Sequence, residues 1–246
     1  IYNAAFNRRL AEISQRPSAK WVGASSGVGS FAREAAVYTL SVAAETPALT
    51  DALEAVLLEA RRVQQYGFLD SEIARVKTDL QRSYERAYAE RDRSESDGYA
   101  ESYVAHLLQG APVPGIEFYH RYAPAALASI TREEVNAVGQ RWMRGRDRAL
   151  LASIAARSDD ALPSRDTLLA VLARAERASI TPWIETIAEG ALVAAPPAPG
   201  RILSRTRIDA LDVTDWRLGN GVRVLLKQTD FKADEVLLGG FAPGGT

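Results

Sequence analysis

The chain has 246 residues, a formal net charge of -1, 47% hydrophobic residues and 25% charged residues, a composition typical of globular proteins. It contains no cysteine, which excludes a disulfide framework, a thiol nucleophile and a cysteine-based zinc site. The near-neutral charge argues against a nucleic-acid partner, and no apolar run reaches the roughly 18–20 residues of a membrane span.

The amino-terminal third predicts a helix followed by a pair of strands. In residues 1–14, apolar side chains recur at helical spacing on one face, and Arg8, Arg9 and Glu12 lie largely off that face. Residues 20–28 are rich in Gly and Ser, and residues 33–45 alternate between apolar and polar positions. Because no helix separates these two extended stretches, we expect them to form an antiparallel pair.

Helical patterns dominate the middle of the chain. Pro47 predicts the start of a second helix and Gly67 its end, and Asp70 is expected to cap a third. A further helix is predicted from about 95 to Gln109, before a Gly- and Pro-rich loop at 110–118. The sequence "TREE" (131–134) predicts a capping box.

The last predicted elements are a strand, a helix, a linker and a hairpin. The run "RALLASIAA" (148–156) predicts a buried strand, and a helix is expected from Ser164 to about 178. Residues 189–211 lack any period and contain three prolines, which predicts a linker. Asn220-Gly221 then predicts a hairpin turn, with a second strand at 235–242. The order of elements favours an α+β fold, an antiparallel sheet covered on one side by helices, with a trailing β-hairpin.

Two Gly-rich motifs resemble functional sites, and both are better explained as structural. "GASSG" (23–27) matches the pattern of a serine-hydrolase nucleophile, with Ser25 as the nucleophile, but such a turn needs a helix directly after it. "GVGS" (27–30) lacks the Lys and the following helix of a phosphate-binding loop.

The titratable candidates also favour structural roles. His106 and His120 are 14 residues apart, unlike the i, i+3 or i, i+4 spacing of a helical metal site. Glu133-Glu134 fits the first turn of a helix, and Asp159-Asp160 fits a turn. We therefore assign no catalytic, cofactor-binding or metal-binding residue to this chain.

Four stretches taken together resemble the insulinase/pitrilysin family of zinc metallopeptidases, in its long bacterial one-chain form. They are "FNRRLAEIS" at the start, "YGFLDSEIARVKTDLQRSYERA" (66–87), "ITREEVNAVGQRWM" (130–143) and "TDWRLGNGVRVLLKQTDFKADEVLLGGFAPGGT" (214–246). The resemblance implies a second, non-catalytic domain without its first strand at 1–188, an inter-half linker at 189–211, and the opening hairpin of a third domain at 212–246. The chain is then expected to be an interior piece of a longer protein.

What the resemblance implies about function concerns that longer parent. The parent would be a zinc endopeptidase whose zinc ligands, an H-x-x-E-H motif and a distal Glu, lie outside this chain. Its partners would be unfolded peptide substrates, the zinc domain and the carboxy-terminal half, and the periplasm is the suggested compartment. This chain would wall a peptide-holding chamber and be inactive alone. Two alternatives stay open: a non-catalytic scaffold subunit of the same fold, and a serine hydrolase built on Ser25.

Overall fold

A computed structural model of the chain describes residues 1–32, 35–94, 96–143, 147–155, 161–185, 195, 198–230 and 236–242. The chain divides into two compact units. Unit 1 comprises Ile1–Tyr88 and Tyr99–Glu185, and unit 2 comprises Ala89–Gly98 and Thr186–Thr246. The fold is α+β, as the order of predicted elements indicates, with every strand pair antiparallel.

Unit 1 begins with a helix packed on a two-stranded sheet. Helix α1 (Tyr2–Ser14) is followed by strands β1 (Gly23–Ala32) and β2 (Ala35–Ala43), which pair antiparallel from Gly23 opposite Ala43 onwards. On β2, alternate residues are half-buried and exposed, as the sequence predicts, and Tyr38, Leu40 and Val42 pack against the core. α1 therefore lies on the inner face of the sheet, with Phe6 and Leu10 fully buried.

Helices complete the core of unit 1. A short 3-10 turn at Thr46–Ala48 leads into α2 (Leu49–Tyr66), followed by α3 (Asp70–Ala89) and later by α6 (Arg132–Trp142) and α7 (Arg165–Arg177). The capping box predicted at Thr131 is present, since its hydroxyl accepts from the N–H of Glu134 at 3.1 Å and Glu134 accepts from the N–H of Thr131 at 2.8 Å. The core joins the inner faces of α1, α2, α3 and α6 to the sheet. Its buried apolar members are Tyr2, Ala5, Phe6, Leu10, Trp21, Ala52, Val56, Ala60, Val63, Phe68, Ile73, Val76 and Val135.

Two further helices are far more exposed. α4 (Ser96–Gln109) buries no residue at all, and α5 (Ile116–Ser129), which begins inside the loop predicted at 110–118, buries only Ala123 and Leu127. α5 contains Pro124 and is joined to α3 by stacked rings. None of the described helices combines the length and apolarity needed to span a lipid bilayer.

Unit 2 contains a three-stranded sheet. Strands β3 (Ile202–Ile208), β4 (Val213–Leu218) and β5 (Arg223–Leu226) pair antiparallel in that order. The turn between β4 and β5 contains Asn220 and Gly221, and Gly221 has a φ of +85° that a residue without Cβ adopts easily. The hairpin predicted at Asn220-Gly221 is therefore present, with a third strand, β3, on its other side.

Three strand or linker assignments from the sequence differ from the structure. Residues 148–155 of the predicted strand 148–156 are not in a strand, and Leu151 is 91% exposed; residue 156 lies outside the described residues. Residues 236–242 of the predicted strand 235–242 are likewise exposed and unpaired, and residue 235 is not described. Residues 202–208, placed in the linker, form β3. In each case pairing with another strand, which local pattern does not encode, decides the outcome.

Gly67 ends α2 in a conformation that demands glycine. Its φ of +73° and ψ of -164° lie in a region that is essentially restricted to Gly. An added Cβ would lie 2.3 Å from Nδ2 of Asn136, whose Oδ1 accepts the N–H of Phe68 at 2.9 Å. Strain and overlap therefore act together at this position.

We expect Gly67→Ala to lower the free energy of unfolding by about 2–3 kcal/mol, combining backbone strain with overpacking. Gly110→Ala is the matched control, because Gly110 also has positive φ (+68°) but open space around its Cβ position. That control should cost about 1 kcal/mol. Urea denaturation of both variants measures the difference in unfolding free energy. Equal losses would show that the Asn136 side chain moves aside without an energetic cost.

Candidate functional site

The structure separates Ser25 from any catalytic partner that it describes. Ser25 is exposed in β1, opposite Ser41 of β2, and a strand, not a helix, follows it. The neighbouring Ser26 is buried, and its hydroxyl is within 3.1 Å of Asn3 Oδ1 and 3.0 Å of Asn7 Oδ1. Residues 27–30 also lie within β1, so this Gly-rich stretch is a strand and not a phosphate-binding turn.

The two histidines lie on different helices and contact different groups. His106 Nδ1 lies 2.8 Å from the carbonyl oxygen of Ala111, just beyond the end of α4. His120, on α5, stacks on Tyr88 of α3 with ring centroids 4.1 Å apart. Across the described ranges, no group of three His, Cys, Asp or Glu side chains is placed to hold a metal ion. The assignment of the zinc ligands to another part of the parent stays a prediction.

Of the two acidic pairs, Glu133-Glu134 makes only local contacts. Glu133 pairs with Arg132 and Glu134 belongs to the capping box, while Asp159-Asp160 lies outside the described residues. The backbone amide of Glu133 at the helix start, and then the hydrogen bond from Arg132, hold the pKa of Glu133 below its usual value. Glu133 and Glu134 stabilise the first turn of α6.

The most developed polar cluster in unit 1 is centred on Arg9, which the sequence analysis placed off the apolar face of α1. The structure corrects this, because the Arg9 side chain is completely buried. Its Nε donates to Glu72 Oε1 at 2.8 Å and its Nη2 to Glu72 Oε2 at 2.6 Å, a bidentate pair. Its Nη1 donates to Glu59 Oε1 at 3.2 Å. One side chain thus joins α1, α2 and α3.

The cluster around Arg9 is neutral and well supplied with hydrogen bonds. Arg62 also pairs with Glu59, so two guanidinium groups balance two carboxylates. Glu72 Oε2 additionally accepts the N–H of Leu69 at 2.8 Å, at the start of α3. Burial raises the pKa of Glu59 above its usual value, while Arg62 and Arg9 act in the opposite direction. Burying the two carboxylates carries a desolvation cost that the two arginines must offset.

A short segment after α7, residues 180–185, is fastened to this cluster, and we call it the exit segment. Trp183 is buried, with the Arg9 guanidinium 4.9 Å and the Arg16 guanidinium 4.8 Å from its ring centroids. The ring of Phe68 lies on another side of Arg9, at 5.1 Å. Each such contact contributes about 0.5–2 kcal/mol, more where the cation is desolvated.

Polar side chains of α2 and α3 hold the backbone of the exit segment. Tyr66 donates to the carbonyl of Ile180 at 2.8 Å, and Arg62 donates to that of Thr181 at 2.9 Å. Glu185 accepts from Ser71 at 2.7 Å and pairs with Arg75, whose hydrogen bond lowers the Glu185 pKa. Side chains of α2 and α3 therefore hold the backbone of the exit segment against unit 1.

A second notable surface is apolar and unpaired. On α4, the exposed Tyr99, Tyr103 and Leu107 follow one another at i, i+4 and i+8, so they share one helix face. On α5, Phe118 and Tyr122 stack with centroids 5.4 Å apart and both are more than a third exposed. Apolar side chains exposed in such number are typical of surfaces that contact another molecule or another part of a larger protein.

The known proteins that this chain resembles are described as proteases. No family model matches the chain. A protein of Arabidopsis thaliana described as zinc protease PQQL-like is 31% identical over 185 residues, which cover 75% of this chain and 19% of that protein. The chain therefore spans about a fifth of the length of this relative.

Solved structures show the same fold at low identity. The periplasmic protease PqqL of Escherichia coli matches 92% of this chain and 25% of its own, with a TM-score of 0.62 and 18% identity. The first half of PqqL, solved separately, matches 74% of this chain with a TM-score of 0.61. The ferredoxin protease FusC, solved with Arabidopsis ferredoxin, matches 93% of this chain and 26% of its own, with a TM-score of 0.58 and 19% identity.

Proposed function

Since this chain is insulinase/pitrilysin-like and spans only part of the length of its relatives, we propose that it is a supporting, non-catalytic part of a zinc-dependent endopeptidase. In this role it contributes structure to the parent, and the parent's zinc ligands belong to another region. The observation that carries the proposal is the exposed apolar face of α4, on a helix that buries none of its residues. Such a helix has a surface ready for a neighbour, and unit 1 already has a core without it.

We assign residues 1–188 to a second, non-catalytic domain, 189–211 to the connection between two halves, and 212–246 to the start of a third domain. Two observations support this division. One boundary between the two compact units lies between Glu185 and Thr186. Complete PqqL matches 92% of the chain and its first half only 74%, as expected for a chain that runs from a first half into a second.

The exit segment gives this role a physical basis. A supporting domain must orient the segment that connects it to the next half of the protein. Trp183, buried against two arginines, and Glu185, paired with Arg75, fix the backbone directly before the proposed connection. The parent's substrates are proposed to be peptides or unfolded proteins, since its relatives are named as proteases, and the periplasm is proposed from PqqL.

The proposal is tested by comparing this 246-residue chain with the full-length protein that contains it. We expect the purified chain to carry less than a tenth of an equivalent of zinc, taking about a tenth as the threshold for adventitious metal, and to leave a fluorogenic peptide uncleaved. The full-length protein should contain stoichiometric zinc and cleave the peptide, and a chelator should abolish that cleavage.

Two results would contradict the proposal in different ways. Stoichiometric zinc and peptide cleavage by the isolated chain would show that it holds its own active site. A full-length protein with neither zinc nor cleavage would instead favour the scaffold alternative, in which the same fold serves as a non-catalytic subunit. Ser25→Ala provides a further control, because an esterase activity lost in that variant would revive the serine-hydrolase alternative.

A further inference from the structure

Unit 2 contains a groove on one face of its three-stranded sheet, with a volume of about 620 Å³. The strand register explains which side chains meet there. Arg205 of β3 is directly opposite Trp216 of β4, Arg207 is opposite Thr214, and Thr214 is opposite Leu226 of β5. Directly opposed residues point to the same side of a sheet, so these five side chains share one face. The groove is lined by Arg205, Arg207, Asp212, Thr214, Trp216, Leu226, Gln228, Thr229 and Asp230.

The two arginines of the groove differ in their interaction partners. Arg207 pairs with Asp209 at 3.3 Å and with Asp212, which neutralise its charge. Arg205 has no carboxylate partner among the described residues; its guanidinium instead lies 4.8 Å from the centroid of the Trp216 ring. Stacking uses the face of the guanidinium and leaves the N–H groups at its edge available. Among the described residues, Arg205 is therefore a preoriented cation without a carboxylate partner.

Trp216, which lines the groove, also carries an unpaired hydrogen-bond donor. The ring is half-buried beneath Arg205, and its Nε1–H is buried without an acceptor in the part of the chain that the structure describes. A buried donor left unpaired costs about 1–3 kcal/mol. Such groups are uncommon in folded proteins and call for an explanation, such as a ligand or water that supplies the acceptor.

We propose that this groove binds a carboxylate carried by a peptide, with the edge of the Arg205 guanidinium as the principal contact. A planar carboxylate fits two parallel N–H donors of an arginine. The Thr214 hydroxyl offers a further donor, and Leu226 and the Trp216 ring offer apolar surface for the residue that carries the carboxylate. The carboxylate belongs either to a peptide's carboxyl terminus or to an acidic side chain.

The acidic side chains on the groove limit the charge of the ligand. Asp212 and Asp230 line the same groove, so a second negative charge on the ligand would be repelled. A singly charged carboxylate is therefore favoured over phosphate. This inference concerns unit 2 and does not rest on the proposed role in a zinc endopeptidase.

The test uses the ¹⁵N-labelled 246-residue chain, whose four tryptophans give four indole N–H signals by NMR. The Trp216 signal is identified by its loss in Trp216→Phe. Acetyl-leucine, which carries a free carboxylate, should shift this signal saturably, whereas acetyl-leucinamide should not. Two tripeptides separate the sources: one with a free carboxyl terminus and no acidic side chain, and one with a central glutamate and an amidated terminus.

Arg205→Gln should weaken acetyl-leucine binding at least about tenfold, as expected for the loss of a charge-assisted pair. The matched control is Arg217→Gln, because Arg217 follows Trp216 in β4 and faces the other side of the sheet. That control should bind within about twofold of wild type, which is near the experimental error. The unchanged remainder of each NMR spectrum verifies that the variants are folded.

The proposal is overturned by any of three results: no saturable shift of the Trp216 signal, an equal shift with the amide, or equal weakening by Arg205→Gln and Arg217→Gln. Tighter binding of inorganic phosphate than of acetyl-leucine would overturn the assignment to a singly charged carboxylate. A saturable response confined to one tripeptide supports the proposal and identifies the source of the carboxylate.

Discussion

Replacing Arg9 by Met is expected to lower the free energy of unfolding of this chain by about 3–5 kcal/mol, because it leaves buried carboxylates without their cation. Arg9 has no exposed side-chain area and makes two hydrogen bonds to Glu72 and one to Glu59. Met preserves much of the side-chain volume, so the loss reports on charge and hydrogen bonding more than on packing. Urea denaturation followed by circular dichroism measures it.

The matched control for this variant is the neighbouring Arg8→Met. Arg8 pairs with Asp79 across the surface, and both side chains are about half exposed. Exposed ion pairs contribute about 0–1 kcal/mol, so the control should stay within that range. Adding Glu72→Gln to Arg9→Met should recover part of the loss, since it removes one uncompensated charge. Equal losses of unfolding free energy in Arg8→Met and Arg9→Met would show that the buried cluster contributes no more to stability than an exposed ion pair.

The deficit of Arg9→Met should also depend on pH. Burial already raises the pKa of Glu59 in the folded chain, and removing Arg9 takes away one of the cations that oppose this effect. A folded state with a raised carboxyl pKa binds protons more readily than the unfolded state, so its relative stability falls as pH rises through that pKa. The deficit should therefore be larger at neutral pH than near pH 5, taken here as about half a unit above the ordinary glutamate value. A deficit that is the same at both pH values would contradict this explanation.

Replacing Trp183 by Ala is the second change with a large expected effect, about 3–5 kcal/mol. Trp183 is buried and lies against the guanidinium groups of Arg9 and Arg16, so its removal leaves a cavity and exposes the buried cluster to water. Unlike the Arg9 variant, it should also release the exit segment. We therefore expect faster cleavage within residues 180–185 by a protease of broad specificity, in addition to the loss measured by urea denaturation.

The adjacent Ile184→Ala is a strict control for Trp183→Ala. Ile184 occupies the same segment but is 79% exposed, so its truncation should change the free energy of unfolding by less than about 0.5 kcal/mol. It should also leave the cleavage rate in the exit segment unchanged. If both variants were cleaved at the wild-type rate, Trp183 would be a core residue without a role in holding this segment.

Local sequence determined much of the secondary structure. The end of α2 at Gly67, the capping box at Thr131, the start of α7 at Ser164 and the turn at Asn220-Gly221 all appear where the residue types predict them. The alternation along β2 likewise predicted its inner face. These features depend on groups within four residues of one another, so that a single sequence contains the information they need. The resemblance to the insulinase/pitrilysin family was also legible from the order of such stretches.

Only the tertiary structure decided where long-range partners meet. Arg9 looks like a surface residue on a helical wheel, yet Glu59 and Glu72, 50 and 63 residues away, make its burial possible. The apolar run at 148–155 does not form a strand because the structure describes no strand paired with it, whereas 202–208 forms a strand because β4 pairs with it. The residues that form a helix cap are neighbours in the sequence. The partners of a buried charge or of a β-strand lie far along the chain, so the local sequence does not identify them.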